Sequence, residues 1–306
     1  MSGTRRILLL GAGGQLGHDL KDSFAGAGEI FAHDRQSVDL ASEEQLRSVI
    51  RAVRPDLILN AAAYTAVDRA ESEPELAHAI NAIAPGLLAQ EARSRDILLV
   101  HYSTDYVFDG TKTGAWVEED TPDPLNVYGA SKLAGEEAIR SVGGKYLIFR
   151  TSWVCGPHGR NFLLTMLRLG RERNQLSVVS DQIGAPTTTA ALAAATRTIA
   201  DGIFSGKHGS SEEWSGLYHM TCGGFTSWHS FAEAIFTHAE AIGLLDKPRP
   251  RITPIPSSEY PTPARRPHNS VLSNRKLQAV FGVQLPAWQE ALNAALTSLR
   301  ANTSTR

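Results

Sequence analysis

The feature that most constrains the fold is a glycine cluster directly behind the first apolar segment. Residues Ile7–Leu10 form an unbroken apolar run that predicts a buried β-strand, and Gly11, Gly14 and Gly17 follow it. Glycine tolerates the positive φ of a tight turn, and its missing Cβ lets the backbone approach a pyrophosphate. The helix that follows would offer free N–H groups to phosphates. The context predicts a dinucleotide-binding turn, although a plain glycine turn fits the spacing alone.

The rest of the first half alternates strand-like and helix-like segments. Further apolar runs that predict strands lie at Ile30–Ala32, Leu57–Leu59, Ile97–Val100 and Tyr146–Phe149. Ser42 and Gln45 predict a capping box for a helix that ends near Arg54. Helical patterns also cover residues 75–93, with a kink or break at Pro85, and residues 128–140. This alternation predicts an α/β fold built on a Rossmann-like, doubly wound parallel sheet.

The second half is less regular and predicts a smaller, largely helical lobe. Its predicted strands are 178–179 and 217–220, and its predicted helices are 189–200, 228–242, 274–281 and 287–299. Pro286 is expected to open the last helix, residues 202–216 to form a surface loop, and the proline-rich residues 246–267 to be extended coil. We therefore expect a dinucleotide-binding domain over residues 1–150. Residues 151–306 would form mainly a substrate-binding lobe, with some segments returning to the first sheet.

Composition excludes several classes of protein. The 306 residues carry 30 Lys and Arg against 32 Asp and Glu, and this balance argues against nucleic-acid binding and a polybasic membrane patch. No apolar stretch is long enough to span a membrane, and the run after Arg5 and Arg6 is too short for a signal peptide. Two cysteines, Cys155 and Cys222, cannot form a disulfide framework. A cytoplasmic location is the expectation.

Two neighbouring charges at the end of the second predicted strand bear on the choice of cofactor. Asp34 lies 23 positions after Gly11, where an acidic residue is expected to bind the ribose 2′-hydroxyl of NADH. Arg35 could instead bind the 2′-phosphate of NADPH. The two residues therefore leave open whether the cofactor is NADH or NADPH. A further alternative is that both are solvated charges at a strand end. Small residues at Ala61 and Ala63 would let the adenosine lie against the backbone.

A tyrosine and a lysine in the third helical pattern suggest acid–base chemistry. Tyr128 and Lys132 are four residues apart and so share one helix face. A nearby cation lowers the pKa of a phenol, which can then protonate an oxygen while a hydride reaches the carbon. The hydroxyl of Thr104, at a strand end where α/β sheets bind ligands, could hold a carbonyl oxygen. Taken alone, Tyr128 and Lys132 also fit a solvated helix face, and the residues around Thr104 also fit an ordinary turn at the end of a strand.

These residues resemble the extended short-chain dehydrogenase/reductase superfamily. The resemblance is closest to the dTDP-4-dehydrorhamnose reductases within it. The blocks that carry it are residues 60–68, 71–74, 101–110, 124–129, 150–154, 180–187 and 266–270, which span nearly the whole chain. It implies an NADPH- or NADH-dependent enzyme that reduces the C4 keto group of dTDP-4-dehydro-L-rhamnose, a sugar nucleotide, to dTDP-L-rhamnose.

The resemblance also implies roles for individual residues. Tyr128 would donate the proton, Lys132 would hold the ribose and lower the tyrosine pKa, and Thr104 would bind the C4 oxygen. The expected cofactor contacts are Gly11, Gly14, Gln15, Leu16, Gly17, Asp34, Arg35, Asp39, Leu40, Ala61, Ala63, Tyr64, Thr65, Tyr128 and Lys132. Asp105 and Trp153 would contact the sugar nucleotide together with Thr104. We interpret Arg266 as a ligand of the diphosphate, with a structural arginine as the alternative.

Other functions remain as alternatives. Related 4,6-dehydratases carry Thr-Asp-Glu at the strand end, whereas this chain has Thr104-Asp105-Tyr106, which favours reduction. Another sugar-nucleotide epimerase or reductase, or a non-catalytic regulatory subunit, would share the fold. Some relatives dimerise around Mg²⁺, but Ala190 and Ala191 stand where a carboxylate would be needed. No metal is therefore expected, and a homodimer is left open.

Overall fold

A six-stranded parallel sheet forms the centre of the computed structural model, which describes residues 4–245 and 247–304. The strands are β1 Arg6–Leu10, β2 Glu29–His33, β3 Leu57–Asn60, β4 Leu98–Thr104, β5 Tyr146–Thr151, β6 Val154–Cys155, β7 Gln175–Val179, β8 Ile183–Gly184, β9 Thr187–Thr188, β10 Gly216–His219, β11 Thr226–Ser227, β12 Arg251–Ile255 and β13 Asn269–Ser270. The main sheet has the order β10-β5-β4-β3-β1-β2. The strand order therefore reverses between β1 and β3, and this switch point is where such sheets bind ligands.

Helices cover both faces of this sheet. They are α1 Gln15–Ser23, α2 Glu43–Val53, α3 Val67–Ala70, α4 Pro74–His78, α5 Ala84–Ser94, α6 Val127–Val142, α7 Phe162–Glu172, α8 Thr189–Phe204, α9 Ser211–Trp214, α10 Trp228–Ala241, α11 Arg275–Phe281 and α12 Trp288–Ser304. Helices α1 and α8 pack together, and α5 packs against α2 and α6. Among the described residues, no helix is long and apolar enough to cross a membrane.

The strands read as unbroken apolar runs because both faces of the sheet are covered. In β1, Ile7 and Leu9 enter one core, whereas Leu8 and Leu10 enter the core on the opposite side. All four side chains are fully buried. Since neighbouring residues of a strand point to opposite faces, each must be apolar when both faces are packed. The predicted Rossmann-like fold is confirmed.

Helix boundaries in the first half follow local signals with two differences. The Ser42 side chain caps α2 by accepting the Gln45 N–H, but the Gln45 side chain accepts the Asp39 N–H rather than that of Ser42. The predicted capping box is therefore only half formed. The second helical pattern continues through Pro85 because a π-helical turn at Ala79–Ile83 joins α4 to α5. Pro85 then lies in the first turn of α5, where its missing N–H costs no hydrogen bond.

The second half differs from its predictions in four places. Part of the expected coil is a strand, since β12 pairs in parallel with β7. Pro254 is tolerated there because this sheet has only two strands. One side of β12 faces no neighbouring strand, so a missing N–H on that side breaks no hydrogen bond of the sheet. The expected loop at 202–216 contains the end of α8 and all of α9. Pro286 does not open α12, which begins at Trp288 after a bridge between Ala287 and Gly223. Helix α7 was not predicted, and Asp246 lies outside the described residues.

Three small sheets and the helices α7, α10, α11 and α12 make up most of the second half. Strands β11, β8 and β13 form one sheet, while β12 pairs with β7 and β6 with β9. Strand β10 instead pairs in parallel with β5 and forms one edge of the main sheet. The second half of the chain therefore contributes both to a separate lobe and to the sheet that carries the glycine turn.

An ion pair is buried between α6 and β5. Arg150 donates two hydrogen bonds to the Glu136 carboxylate, at 2.9 and 2.6 Å, and Ser103 donates a third. The side chains of Arg150 and Glu136 are 1% and 0% exposed. The low dielectric makes their attraction strong, and removal of one partner leaves the other charge uncompensated.

We predict that Glu136→Ala lowers the free energy of unfolding by about 3–5 kcal/mol, because Arg150 loses its buried counter-charge. Glu172→Ala is the matched control, since its pair with Arg168 lies in solvent, with side chains 49% and 61% exposed. This control should lose less than about 1 kcal/mol. Urea unfolding followed by circular dichroism measures both changes. A loss for Glu136→Ala as small as that of the control would contradict the prediction.

Candidate active site

The glycine turn brings β1, β2 and β3 together at the switch point. The N–H groups of Gly11 and Ala12 both donate to the His33 carbonyl at 2.9 Å. Gly11 has φ +83°, and a Cβ on it would lie 2.6 Å from the Ala62 nitrogen. A Cβ on Gly17 would lie 2.1 Å from the Gly11 oxygen, so α1 can approach the turn only with glycine there. The sequence-predicted glycines are thus dictated by close packing.

The start of α1 fits the diphosphate of a dinucleotide. Gly14 is the N-cap of α1, and within the part of the chain that the structure describes no side chain accepts a hydrogen bond from the first N–H groups of this helix. These donors and the positive end of the helix dipole attract phosphate oxygens. Gln15 is half-buried and its side-chain oxygen accepts a hydrogen bond from Asn161 at 3.1 Å, while Leu16 is buried in the core. The open helix end and the crowded glycines together fit the predicted cofactor.

Asp34 and Arg35 lie at the end of β2, but in different surroundings. The Asp34 carboxylate accepts the N–H groups of Gln36 and Ser37, which lower its pKa. A Cβ on Gly13 would lie only 3.4 Å from that of Asp34, so this carboxylate is beside the glycine turn. Arg35 is exposed. The structure therefore places an acidic residue and an exposed basic residue next to each other. They lie where the adenosine of the cofactor is predicted to bind.

The remaining predicted cofactor residues follow β2 and β3. Ala61 and Ala63 are half-buried, as are Tyr64 and Leu40, while Thr65 and Asp39 are exposed. Ala61 donates its N–H to the Leu10 carbonyl, which keeps this turn against β1. Asp39 accepts the Ala41 N–H at 2.9 Å.

A residue that the sequence did not single out ties this region to α6, the helix that carries Tyr128 and Lys132. The Asn81 side chain accepts the Tyr64 N–H at 2.8 Å and donates to the Tyr64 carbonyl and to the Ser131 hydroxyl, each at 3.0 Å. Asn81 is buried in the π-helical turn. Three hydrogen bonds of one side chain thus join the Tyr64 loop to α6. In the sequence, Pro85 is the one local feature that indicates an irregular helix at this point.

Thr104 and Tyr128 lie together where β4 ends beside α6, and Lys132 follows one turn later on the same helix. Thr104 is buried, and its hydroxyl accepts the Tyr106 N–H at 3.2 Å and donates to the Asp105 carboxylate at 3.1 Å. The phenol of Tyr128 lies close enough to Thr104 for that hydroxyl to affect its pKa. Burial raises the pKa of Tyr128, the Thr104 hydroxyl opposes this, and the Asp105 charge adds to the increase. The phenol therefore stays protonated at neutral pH.

The position of Lys132 differs from expectation. Its ammonium is buried and donates to the Tyr102 carbonyl at 2.7 Å, and it lies 3.1 Å from His101 Nε2. Burial lowers the pKa of Lys132 to about 8, against an opposing effect of Glu136. Lys132 is not among the groups that shift the pKa of Tyr128. In this structure the tyrosine pKa is therefore raised, not lowered as predicted, because burial outweighs the distant cation.

Asp105 is a buried carboxyl beside this group. Burial raises its pKa to about 6, against hydrogen bonds from Ser270 and Thr104. Its Oδ2 atom is buried and has no partner among the described residues. A buried acceptor without a donor is costly, so this oxygen is suited to receive a ligand hydroxyl.

Arg266 makes two protein contacts near the site. It donates to the Tyr106 hydroxyl and to the Asp68 carboxylate, each at 2.9 Å. The rings of Tyr106 and Tyr128 pack edge to face at a centroid distance of 5.6 Å. Arg266 thereby fixes Tyr106 against Tyr128. This geometry favours the structural alternative for Arg266 over the predicted diphosphate contact.

Trp153 lies two residues past the end of β5, the strand next to β4. Its backbone is left-handed, with φ +47°, and its indole stacks on Trp228 at a centroid distance of 3.5 Å. A Cβ on Gly184 would lie 2.5 Å from the indole. Trp153 is half-buried, so part of its indole remains accessible. Such a surface can cover a sugar or a base.

No group of three or more His, Cys, Asp or Glu side chains in the described part of the chain is arranged to hold a metal ion. His219 and Cys222 are both buried, and His219 Nδ1 lies 3.2 Å from the Trp116 carbonyl. Cys155 and Cys222 are free thiols.

The parallel sheet, the glycine turn and the Thr–Tyr–Lys group define an oxidoreductase that binds a dinucleotide on a Rossmann-like fold. Comparison with known families identifies the branch. The profile of the RmlD substrate binding domain matches residues 5–301. The chain belongs to this family, and the resemblance seen in the sequence is confirmed.

Individual relatives agree with this assignment. The dTDP-4-dehydrorhamnose reductase of Burkholderia thailandensis is 47% identical over 303 residues, which cover 96% of this chain and 99% of that protein. The structure of dTDP-4-dehydrorhamnose reductase from Bacillus anthracis in complex with NADP has a TM-score of 0.87 at 36% identity, and the match covers 97% of this chain and 100% of that one. A Thermus thermophilus UDP-glucose 4-epimerase complex with NAD has a TM-score of 0.77 at 22% identity, over 96% of this chain and 99% of that one, and so shares the fold.

We expect Arg35→Ala to raise the KM for NADPH by about tenfold or more, because the exposed guanidinium at the end of β2 can pair with a 2′-phosphate. The KM for NADH should stay within about twofold, since NADH has no phosphate there. Arg51→Ala, on the exposed side of α2, is the control. Steady-state kinetics with each cofactor measure the ratio. An equal increase for both cofactors would assign Arg35 no part in the discrimination.

Proposed function

We propose that this protein reduces the C4 keto group of dTDP-4-dehydro-L-rhamnose, with NADPH or NADH as the reductant, to give dTDP-L-rhamnose. The observation that carries the proposal is the proximity of Thr104 and Tyr128 at the end of β4, beside an open helix end for the cofactor. The names of the relatives supply the substrate.

The cofactor site in this proposal is built from the switch point outward. The diphosphate would lie against the N–H groups that begin at Gly14 and Gln15, and the adenosine against Ala61, Ala63 and the end of β2. Tyr64 and Thr65 would continue this surface toward α6, where Lys132 would reach the ribose. When bound, the reduced nicotinamide supplies the hydride that the keto carbon accepts.

Tyr128 is the proton donor in this proposal. Burial keeps its phenol protonated, so the proton is available when negative charge develops on the C4 oxygen. Thr104 lies beside the same phenol and would orient both the tyrosine and the keto oxygen. A cation is then needed to stabilise the phenolate after transfer, and Lys132, one helical turn away, is the nearest candidate on α6.

The sugar nucleotide would lie over the carboxyl ends of β4 and β5. Asp105 Oδ2 has an unused acceptor position for a sugar hydroxyl, and Trp153 offers an aromatic surface. Arg266 enters the proposal as a positioning residue for Tyr106, because its contacts end on Tyr106 and Asp68.

The alternatives have weaker support. A dehydratase would need a carboxylate where Tyr106 stands, and that phenol is fixed by Arg266. An epimerase shares the fold, but the similarity to one is only 22% identity. A non-catalytic regulatory subunit would not require Thr104, Tyr128 and Lys132 together.

We extend the proposal to a cytoplasmic enzyme that pairs with a second copy. The balanced charge and the lack of a long apolar run support the location. Leu76 and Ile83, on the helical segment from α4 to α5, are 42% and 58% exposed. These two apolar side chains are a feature that self-association would cover.

We predict that Tyr128→Phe lowers turnover by about 10²–10⁴-fold, because it removes the proton donor and little else. Cofactor affinity should change little, since the ring and its packing are kept. The assay follows loss of reduced nicotinamide absorbance with dTDP-4-dehydro-L-rhamnose generated enzymatically in the same tube. Tyr146→Phe, at the opposite end of the sheet, is the control.

Turnover of Tyr128→Phe at the level of the control would remove Tyr128 from the mechanism. Tight cofactor binding by the wild type without oxidation in the presence of the sugar would instead point to another keto sugar or to the regulatory alternative.

A further inference from the structure

A buried histidine lies behind the proposed site and has no part in the chemistry described so far. His101 on β4 pairs in register with Asn60 on β3, so both side chains point to the same face of the sheet. They are 0% and 1% exposed. Asn60 Nδ2 lies 3.0 Å from His101 Nδ1, which leaves the Nε2 side of the ring to face α6.

The neighbour on that side is Lys132. Its Nζ lies 3.1 Å from His101 Nε2 and 2.7 Å from the Tyr102 carbonyl. An ammonium has three N–H groups in a fixed tetrahedral arrangement. Two acceptors therefore fix both the position of the nitrogen and the direction of its third N–H. Within the described residues these are the only two acceptors of Lys132, so one N–H is left for a ligand.

The charges around the ammonium are few and already engaged. Glu136, on the same helix, is paired with Arg150 of β5. Tyr128 and Asp105 lie on the ligand side, at the end of β4, and neither is hydrogen-bonded to Lys132. Among the described residues, His101 from β4 is thus the one side chain within hydrogen-bonding distance of the ammonium.

We propose that His101 is a positioning residue that holds the Lys132 ammonium, as a neutral imidazole accepting through Nε2, in the place from which it acts on the cofactor. The inference rests on the proposed function, because that function gives Lys132 its role. It adds a pair, Asn60 and His101, to the machinery of the reaction.

The tautomer follows from the contacts. Nε2 can accept from an ammonium only if the ring proton is on Nδ1, and that proton needs an acceptor. Asn60 Oδ1 is buried without a partner, and rotation of the amide by half a turn would place it against Nδ1. Burial and the charge of Lys132 both lower the pKa of His101, so the ring remains neutral and does not repel the ammonium.

Two substitutions separate this role from a merely structural one. In His101→Gln the side-chain amide reaches the position of Nε2, whereas in His101→Asn it reaches only that of Nδ1. Both keep a polar side chain of similar volume, so the variants are matched. Only His101→Gln retains an acceptor for Lys132. Thermal unfolding of both variants reports any common loss of stability.

The first readout is the titration of Lys132, followed by NMR of ¹³C-labelled lysine and assigned by its absence in Lys132→Met. Loss of an acceptor destabilises the charged form and so lowers a lysine pKa. We expect the pKa of Lys132 in His101→Asn to fall by about one unit or more, whereas His101→Gln stays near the wild type.

The second readout is the pH profile of turnover. If protonated Lys132 is required, activity is lost as pH rises through its pKa, so the basic limb should move to lower pH in His101→Asn and not in His101→Gln. The KM for the cofactor should rise about tenfold in His101→Asn at a pH above its lysine pKa.

Equal lysine pKa values and equal basic limbs in both variants would overturn the inference and leave His101 a core residue. The titration needs no sugar substrate. A wild type that does not reduce the sugar nucleotide would therefore reject the proposed function, while the lysine titration would still decide the role of His101.

Discussion

The close approach of the Gly11 backbone to the Ala61–Ala62 turn is the contact on which the site depends. It occurs between β1 and β3, where the strand order of the main sheet reverses. A side chain at Gly11 would push these strand ends apart, and one at Gly17 would push α1 away from the turn. Because α1 is seated there, its free N–H groups face the same edge of the sheet at which β4 presents Thr104.

The sequence predicts what is local or periodic. Unbroken apolar runs identify the central strands because each strand is buried on both sides, and Ser42 locates the start of α2. Strand β12 could not be predicted in this way, since its proline is acceptable only because one side of it is unpaired. Among the predicted site residues, the glycines pack closely behind β1, and Thr104 lies beside Tyr128. The direction of the Lys132 side chain depends on the Tyr102 carbonyl and on His101, which are distant in the chain.

Burial controls the chemistry of the site more than charge pairing does. It raises the pKa of Tyr128 and of Asp105 and lowers that of Lys132, so each group moves toward its neutral form. A protonated phenol suits a step in which negative charge appears on an oxygen. The same dry surroundings make any cation that reaches the phenolate more effective than it would be in water.

The π-helical turn at Ala79–Ile83 limits where homologous chains can gain or lose residues. A π turn accommodates one more residue than an α-helical turn, and each residue rotates a helix face by about 100°. Loss of a single residue here would restore a regular helix, yet it would turn the buried side of α5 relative to α4. Asn81 could then no longer join Tyr64 to Ser131. Homologous chains should accept insertions and deletions in the loops of the second lobe, while the length of this helical segment should remain constant.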